Sequence, residues 1–224
     1  MIIKFLGTSN GEAIPRALCD CPQCLSTDKK DKRLRSAILV NKKILVDAGP
    51  DITKQLHLSQ IKALEAVLIT HEHFDHVGGL RDILKINKSL QVIKLKPGQH
   101  FKLNDINFYA FKVKHSSVVQ TVGVEIGKAI YIPDVADLEW AMKYLKESKY
   151  AILDGSVFGR SFGGHMSIND VISETKSLKN LRRIYFTHNG HTHKTHREMT
   201  KIVQALGDDR YHLAYDGLEI KIDD

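Results

Sequence analysis

Short apolar runs recur along the chain, and many close on an aspartate, a histidine or a threonine. Residues 2–8 read as a first strand ending at Gly7-Thr8. Residues 36–40 and 44–47 read as two strands around the turn Asn41-Lys42-Lys43, and 51–58 as a short helix entered through Pro50. The apolar run Ala66-Val67-Leu68-Ile69 predicts a buried strand over 66–70. Leu80, Ile83 and Leu84 stand at helical spacing within 77–88. Strands follow at 91–95 and 106–113, with a hairpin over 121–126 and 129–132. A helix over 138–146 precedes a strand over 150–153. Ser167 is the N-cap of a helix running to Leu178. A strand over 183–186, a helix over 197–206 ending at Gly207, and strands near 211–214 and 217–222 complete the set. This order points to an α/β chain with two sheets face to face and helices outside. No linker, low-complexity tract or repeat divides it, so residues 1–224 are expected to form one domain. Residues 9–35 carry no period, and an irregular stretch of that length inside a domain is usually functional.

The strand over 66–70 runs into Thr70-His71-Glu72-His73-Phe74-Asp75-His76-Val77-Gly78-Gly79. Four metal-ligating side chains lie between His71 and His76, on what reads as a turn at a strand's C-terminal end, where α/β proteins gather their sites. Core packing cannot satisfy such a cluster, because buried polar groups need partners. Further polar residues close other apolar runs: Asp47, His115, Asp134 and His188. A folded sheet brings such ends to one rim. Imidazole with carboxylate suits Zn²⁺ and other first-row ions. His71 and His73, two apart, point the same way from an extended segment and can share one ion. Asp75 and His76 can serve a second, with His188 as a further ligand and Asp134 as the bridging carboxylate. Two ions about 3.5–4 Å apart can activate a bridging hydroxide for a displacement, and they retain the net positive charge an anionic substrate needs.

The three cysteines, Cys19, Cys21 and Cys24, form C-x-C-x-x-C inside the irregular stretch. An odd, clustered set is no disulfide framework and points to metal. A structural zinc wants four ligands. His191 is the expected fourth, with His193 and His196 as rivals, so that a zinc loop at about 15–35 is tied to the far end of the chain. The formal charge of +7 suits phosphate-bearing ligands, although a lysine-rich solvated surface accounts for it more simply. The densest basic run, Lys29-Lys30-Asp31-Lys32-Arg33-Leu34-Arg35, lacks interleaved aromatics and is weak evidence for RNA binding. No apolar run approaches a membrane span, and the first residues lack the basic flank of a signal peptide. A cytoplasmic protein without a membrane partner is expected.

The motifs together resemble the metallo-β-lactamase superfamily over nearly the whole chain. Asp47 in Leu-Val-Asp-Ala-Gly matches its first motif, and His71, His73, Asp75 and His76 match the second. His115, Asp134 and His188 match the third, fourth and fifth. The resemblance implies a four-layer αβ/βα sandwich with a dinuclear site at one edge. It implies His71, His73 and His115 on one metal, Asp75, His76 and His188 on the other, and Asp134 bridging. Asp47 then orients a ligating histidine rather than binding metal itself. Asp134 at the fourth motif is similar to the phosphodiesterase, glyoxalase and nuclease branches. The cysteine pattern, His-x-x-His at the fifth motif and Tyr215-Asp216-Gly217-Leu218-Glu219-Ile220 resemble the phosphoribosyl 1,2-cyclic phosphate phosphodiesterases of phosphonate breakdown. The segment from His76 to His115 is shorter than that group usually carries.

The function expected on these grounds is hydrolysis of a small, cyclic phosphodiester by a hydroxide bridging two Zn or Mn ions, beside one structural Zn. Asp75 and His165 are the expected catalytic residues. His165, in Phe162-Gly163-Gly164-His165-Met166-Ser167, would protonate the leaving group or hold phosphate, helped by the helix N-terminus at Ser167. Asp154 and Ser156 close another strand and are expected at the rim. The alternatives are a tRNA 3′-processing nuclease, a thioester hydrolase of the glyoxalase type, or a non-enzymatic accessory protein of pyrroloquinoline quinone biosynthesis. A nucleic-acid partner is the less favoured one, and homodimerisation is expected by analogy with the superfamily alone.

Overall fold

Each apolar or alternating run read as a strand forms one in the computed structural model of the chain, which describes residues 1–223. The first half holds β1 (Ile2–Gly7), α1 (Pro22–Leu25), β2 (Ala37–Val40), β3 (Ile44–Val46), α2 (Ile52–Leu58), β4 (Ala66–Ile69), α3 (Phe74–Val77), α4 (Leu80–Ile86) and β5 (Gln91–Lys94). The second holds β6 (His100–Leu103), β7 (Ile106–Lys112), β8 (Val122–Ile126), β9 (Ala129–Ile132), α5 (Met142–Leu145), β10 (Tyr150–Asp154), α6 (Ile168–Thr175), β11 (Arg183–Thr187), α7 (His196–Leu206), β12 (Tyr211–Leu213) and β13 (Glu219–Lys221).

One sheet has the order β13-β1-β2-β3-β4-β5, the other β12-β11-β10-β9-β8-β7-β6. Their inner faces meet in a core that includes Phe5, Ile38, Val46, Phe108, Val124, Tyr131 and Ile152. The outer face of the first sheet (Leu39, Leu45, Val67, Ile69) packs on α2 and α4 through Ile52 and Ile83. The outer face of the second (Ile130, Ile132, Leu153, Phe186) packs on α5, α6 and α7 through Leu145, Val171 and Val203. Covering both faces explains why β2, β4, β9 and β10 are buried at every position and read as unbroken apolar runs rather than alternations. The result is the four-layer αβ/βα sandwich.

Four expectations change. The helix over 77–88 shortens to Leu80–Ile86, after the separate short helix α3, because at Gly79 the chain passes very close to the loop after β3. A Cβ on Gly79 would lie 2.2 Å from the Gly49 carbonyl oxygen, and one on Gly49 would lie 2.0 Å from that of Asp75. Residues 138–146 are helical only over Met142–Leu145, since Ala136 N–H donates to the Lys114 carbonyl at 2.6 Å and pins the segment before it. The irregular stretch contains α1 and a 3₁₀ turn at Lys29–Asp31. One strand, β6, escapes the periodicity reading. It alternates polar and apolar residues, but it is short and lies at the sheet edge.

The basic run 29–35 is not a solvated face. Arg33 is 2 % exposed, and its guanidinium donates to Thr8 Oγ1, the Ala214 carbonyl and His196 Nδ1. Asp31 is buried and accepts from the His196 N–H. Arg35 pairs with Asp51 at 3.0 Å, and Lys30 lies over the Tyr215 ring. The run therefore anchors the irregular stretch to α7 and to the turn before β13. Burial, then Arg33 and Lys30, push the His196 imidazole down to about 4. The unfolded chain would take that proton near pH 6.5. Stability from this group is thus present above pH 6.5 and lost as pH falls towards 4, by at most about 3 kcal/mol. Asp216, raised to about 6 by burial, works in the opposite sense and loses its contribution as pH rises. Urea midpoints at pH 7 and 4.5 isolate the first effect: His196→Asn should be less acid-sensitive than the parent protein.

Candidate metal centre

Strands β3, β4 and β5 run parallel, as do β9, β10, β11 and β12. Their C-terminal ends open on one edge of the sandwich. Asp47 follows β3, His71 follows β4 through Thr70, Asp134 follows β9, Asp154 ends β10 and His188 follows β11. His115 lies beyond β7, and α3 carries Asp75 and His76. The cluster is therefore partly helical rather than a plain turn.

Two triads result. His71 Nε2 and His73 Nδ1 are 2.9 Å apart, and His73 Nδ1 and His115 Nε2 are 3.2 Å apart. In the second triad, His188 Nε2 lies 3.1 Å from Asp75 Oδ2 and 3.4 Å from His76 Nε2. Asp134 stands between them. Its Oδ2 is 3.0 Å from His76 Nε2, and its Oδ1 is 3.5 Å from His188 Nε2 and 3.7 Å from His115 Nε2. Donors on a tetrahedral zinc are about 3.3 Å apart, given Zn–N bonds of about 2.0–2.1 Å. The triads match that spacing.

Most of the opposite ring nitrogens are tied back. His76 Nδ1 donates to Asp47 Oδ2 at 2.8 Å, and His71 Nδ1 to Thr70 Oγ1 at 3.1 Å. His115 Nδ1 donates to the Gly164 carbonyl at 2.9 Å, and His188 Nδ1 to Ser156 Oγ at 2.6 Å. Thr70 in turn donates to Asp47 through both its N–H and its hydroxyl. These four imidazoles thus turn Nε2 to the centre, whereas His73 turns Nδ1 inward. Asp47 and His188 hold this arrangement with positive φ, 65° and 55°, a strained backbone that recurs at functional sites.

The charges agree. Burial, then the neighbouring His76, push His71 down to about 2, so it stays neutral. Burial opposes ionisation of Asp134, but His188 and His76 hold its carboxyl well below the usual range; His188 and His76 do the same for Asp75. His76 is the exception: against its burial, Asp134 and Asp47 raise it well above an ordinary imidazole, so a cation there would have to displace its Nε2 proton. Asp134 Oδ2 has no hydrogen bond although it is buried. Ionised carboxylates and inward lone pairs crowd one enclosed place, and divalent cations fit that donor set.

The cysteine cluster passes a similar test. His191 Nε2 lies 3.6, 3.2 and 3.3 Å from the Sγ atoms of Cys19, Cys21 and Cys24. Sulfur and nitrogen on one tetrahedral zinc are about 3.6 Å apart. Burial and then Arg16 keep the His191 imidazole below its usual range, as a neutral ligand requires. Burial raises the Cys24 thiol to about 11, so a thiolate there calls for a cation. His193 also reaches Cys19 and Cys21, whereas His196 is turned to Arg33.

His165 is brought beside His115 and His188, at ring separations of 4.8 and 5.5 Å. Its Nδ1 donates to Asp154 Oδ2 at 2.7 Å, and Asp154 is fixed by the N–H groups of Val135 and Ser156. The helix N-terminus beside it is not free for phosphate. Ser167 is fully buried and accepts the Asp170 N–H, and Asp170 accepts from the Ser161 and Ser167 hydroxyls. The sequence reading left Thr70 without a role and placed Asp154 and Ser156 only at the rim. The signal was their position beside a ligand or at the end of a strand. Glu72 points away and pairs with Lys94 at 2.5 Å. Glu72→Gln should leave metal content unchanged and activity within about threefold, while Asp75→Asn should weaken one metal by about 10–100-fold, the range seen when metal-site partners are removed. Metal titration of the two variants compares them.

Two facing mixed sheets with a histidine–aspartate centre at one edge define a metallohydrolase-type fold. The profile of the metallo-beta-lactamase superfamily matches residues 32–196, and the chain belongs to that superfamily. Membership implies divalent metal ions. Among its relatives, an octanoyltransferase of Porphyromonas gingivalis is 27% identical over 258 aligned positions, covering 98% of this chain and 51% of that protein. The chain thus spans about half the length of that relative. Among solved structures, a diphosphatase from the PhnP family superposes with a TM-score of 0.84 at 24% identity, covering 99% of this chain and 98% of that one. Zn²⁺-bound PqqB from Methylobacterium extorquens superposes with a TM-score of 0.78 at 18% identity, covering 99% and 100%. These likenesses describe the fold. No helix among the described residues is long and apolar enough to cross a membrane.

Proposed function

We propose that the chain is a two-metal hydrolase of small phosphodiesters, cyclic ones included. The observation that carries this reading is Asp134, a buried carboxylate within 3.0–3.7 Å of ligand atoms from both triads. Two cations held by the triads would supply a nucleophile at neutral pH and neutralise the phosphoryl oxygens. The chain's own residues do the rest. His71, His73 and His115 form one cradle, and Asp75, His76 and His188 the other. A phosphorus–oxygen bond to the incoming water oxygen forms as the ester bond breaks. The departing alkoxide takes a proton from His165, whose Nδ1 is held by Asp154 and whose Nε2 is left to donate. Gly163 and Gly164, with φ of 62° and 84°, let the chain turn tightly beside His115.

A second reading is hydrolysis of a medium-chain acyl thioester. It is favoured by the likeness of this chain to about half of an octanoyltransferase and by the exposure of Phe74, Val118 and Phe162 on segments flanking the centre. One panel separates the readings. The Zn²⁺- or Mn²⁺-loaded protein is offered bis(p-nitrophenyl) phosphate, 2′,3′-cyclic nucleotides, ribose cyclic phosphate, precursor tRNA, S-lactoylglutathione and an octanoyl thioester. Turnover of a small phosphodiester supports the first reading. Turnover of thioesters alone would replace it with the second, cleavage of precursor tRNA alone would mark a nuclease, and no turnover of any would favour the accessory role.

A further inference from the structure

His188 sits three residues before His191, and the segment between α7 and the end of β11 has no regular structure to stiffen it. His188 nevertheless holds a left-handed φ of 55° while its Nδ1 donates to Ser156 Oγ and its Nε2 lies 3.1 Å from Asp75 Oδ2. The segment is clamped near its start by the end of β1 and β11, and further on by the irregular stretch. Asn189 N–H donates to the Thr8 carbonyl at 2.6 Å, and its side-chain amide donates to Thr8 and Phe186 carbonyls. Thr192 N–H donates to Gln23 Oε1 at 3.0 Å, and Gln23 lies in α1 between Cys21 and Cys24. His191 closes the clamp on the three sulfurs.

We infer that the cysteine centre is the outer anchor of His188. A metal held by Cys19, Cys21, Cys24 and His191 fixes the segment 188–192, and so sets the affinity of the Asp75–His76–His188 triad. His191 is a positioning residue in this view, acting on the second triad through three residues of backbone. The first triad does not share the strap, because His71 and His73 follow β4 and His115 follows β7. Emptying the cysteine centre should therefore weaken one histidine site and spare the other. This inference rests on the two-metal reading.

The test exploits the cysteine count. The chain has three cysteines, all in this cluster, so a mercurial that captures thiolates acts there alone. The Co²⁺-loaded full chain is treated with p-hydroxymercuribenzoate, and metal content and d–d absorption are followed without any substrate. The expected result is loss of the thiolate-bound ion together with a Kd about 10–100-fold weaker for one of the two remaining ions, the range for disturbed metal-site partners. His191→Ala should do the same, and His191→Cys, which restores four donors, should return that Kd to within about threefold of the parent value. Loss of the thiolate-bound ion with both other Kd values unchanged would overturn the inference and leave the two-metal reading intact. A parent protein that binds no metal at the histidine triads would overturn both. Weakening of both triads together would also sink it, as general loosening of the fold. The mercurial experiment needs no variant to fold, so an insoluble His191→Ala would not spare the inference.

Discussion

Asp134→Asn is expected to lower turnover of a phosphodiester by about a thousandfold or more and to cost the protein at least one of its bound metals. The replacement keeps the shape and removes one charge. Asp134 is 2 % exposed, and its two oxygens face His76, His188 and His115. Its ionised form is held by those histidines against the pull of burial. An amide there turns an N–H₂ group or a neutral oxygen towards positions prepared for cations. Breaking one partner of a buried charge pair costs about 3–5 kcal/mol. A barrier higher by about 4 kcal/mol is a rate about a thousandfold lower. Rates on bis(p-nitrophenyl) phosphate, with metal content from the same samples, decide the matter. Full activity with full metal content would mean that Asp134 does not join the triads.

His165→Ala should behave differently. It should lower kcat by about 10²–10⁴-fold for esters with alkoxide leaving groups, the usual range for general acid catalysis, with metal content unchanged. For a p-nitrophenolate leaving group, which departs without a proton, the loss should shrink to a few-fold. The contrast follows from geometry. His165 is tied at Nδ1 to Asp154, itself fixed by two backbone N–H groups, so the ring presents its other nitrogen in a fixed direction. Equal losses on both leaving groups would make His165 a positioning residue for the substrate instead of a proton donor.

The strands were legible because burial on both faces writes itself as unbroken apolar runs, as in residues 129–132. The residues gathered at the candidate metal centre were legible because a polar residue ending such a run has nowhere else to go. What sequence could not convey is what lies opposite each ligand. Ser156 meets His188 across 32 residues, and Gly164 meets His115 across 49. Neither pairing follows from local pattern: the first depends on the register of the parallel strands β10 and β11, the second on how the loop before α6 meets the segment after β7. Helix limits were also hidden: Gly79 is needed by the neighbouring loop at Gly49, a contact 30 positions away. The anchoring role of the basic run 29–35 was hidden for the same reason, because its charges meet partners such as His196 and Asp51 that only the fold supplies.

Strand β1 lies between β13 and β2, with Ile2 opposite Lys221. The amino group of Met1 donates to the Ile222 carbonyl at 3.0 Å. At its other end β1 runs into Thr8, which accepts from Asn189 beside His188. Both described ends thus leave the molecule side by side, a full strand length from the metal ligands. Mechanically they are one tether point. Cargo attached at either end, or a short linker closing the two into a ring, would pull on the sheet border and leave the catalytic mouth unobstructed.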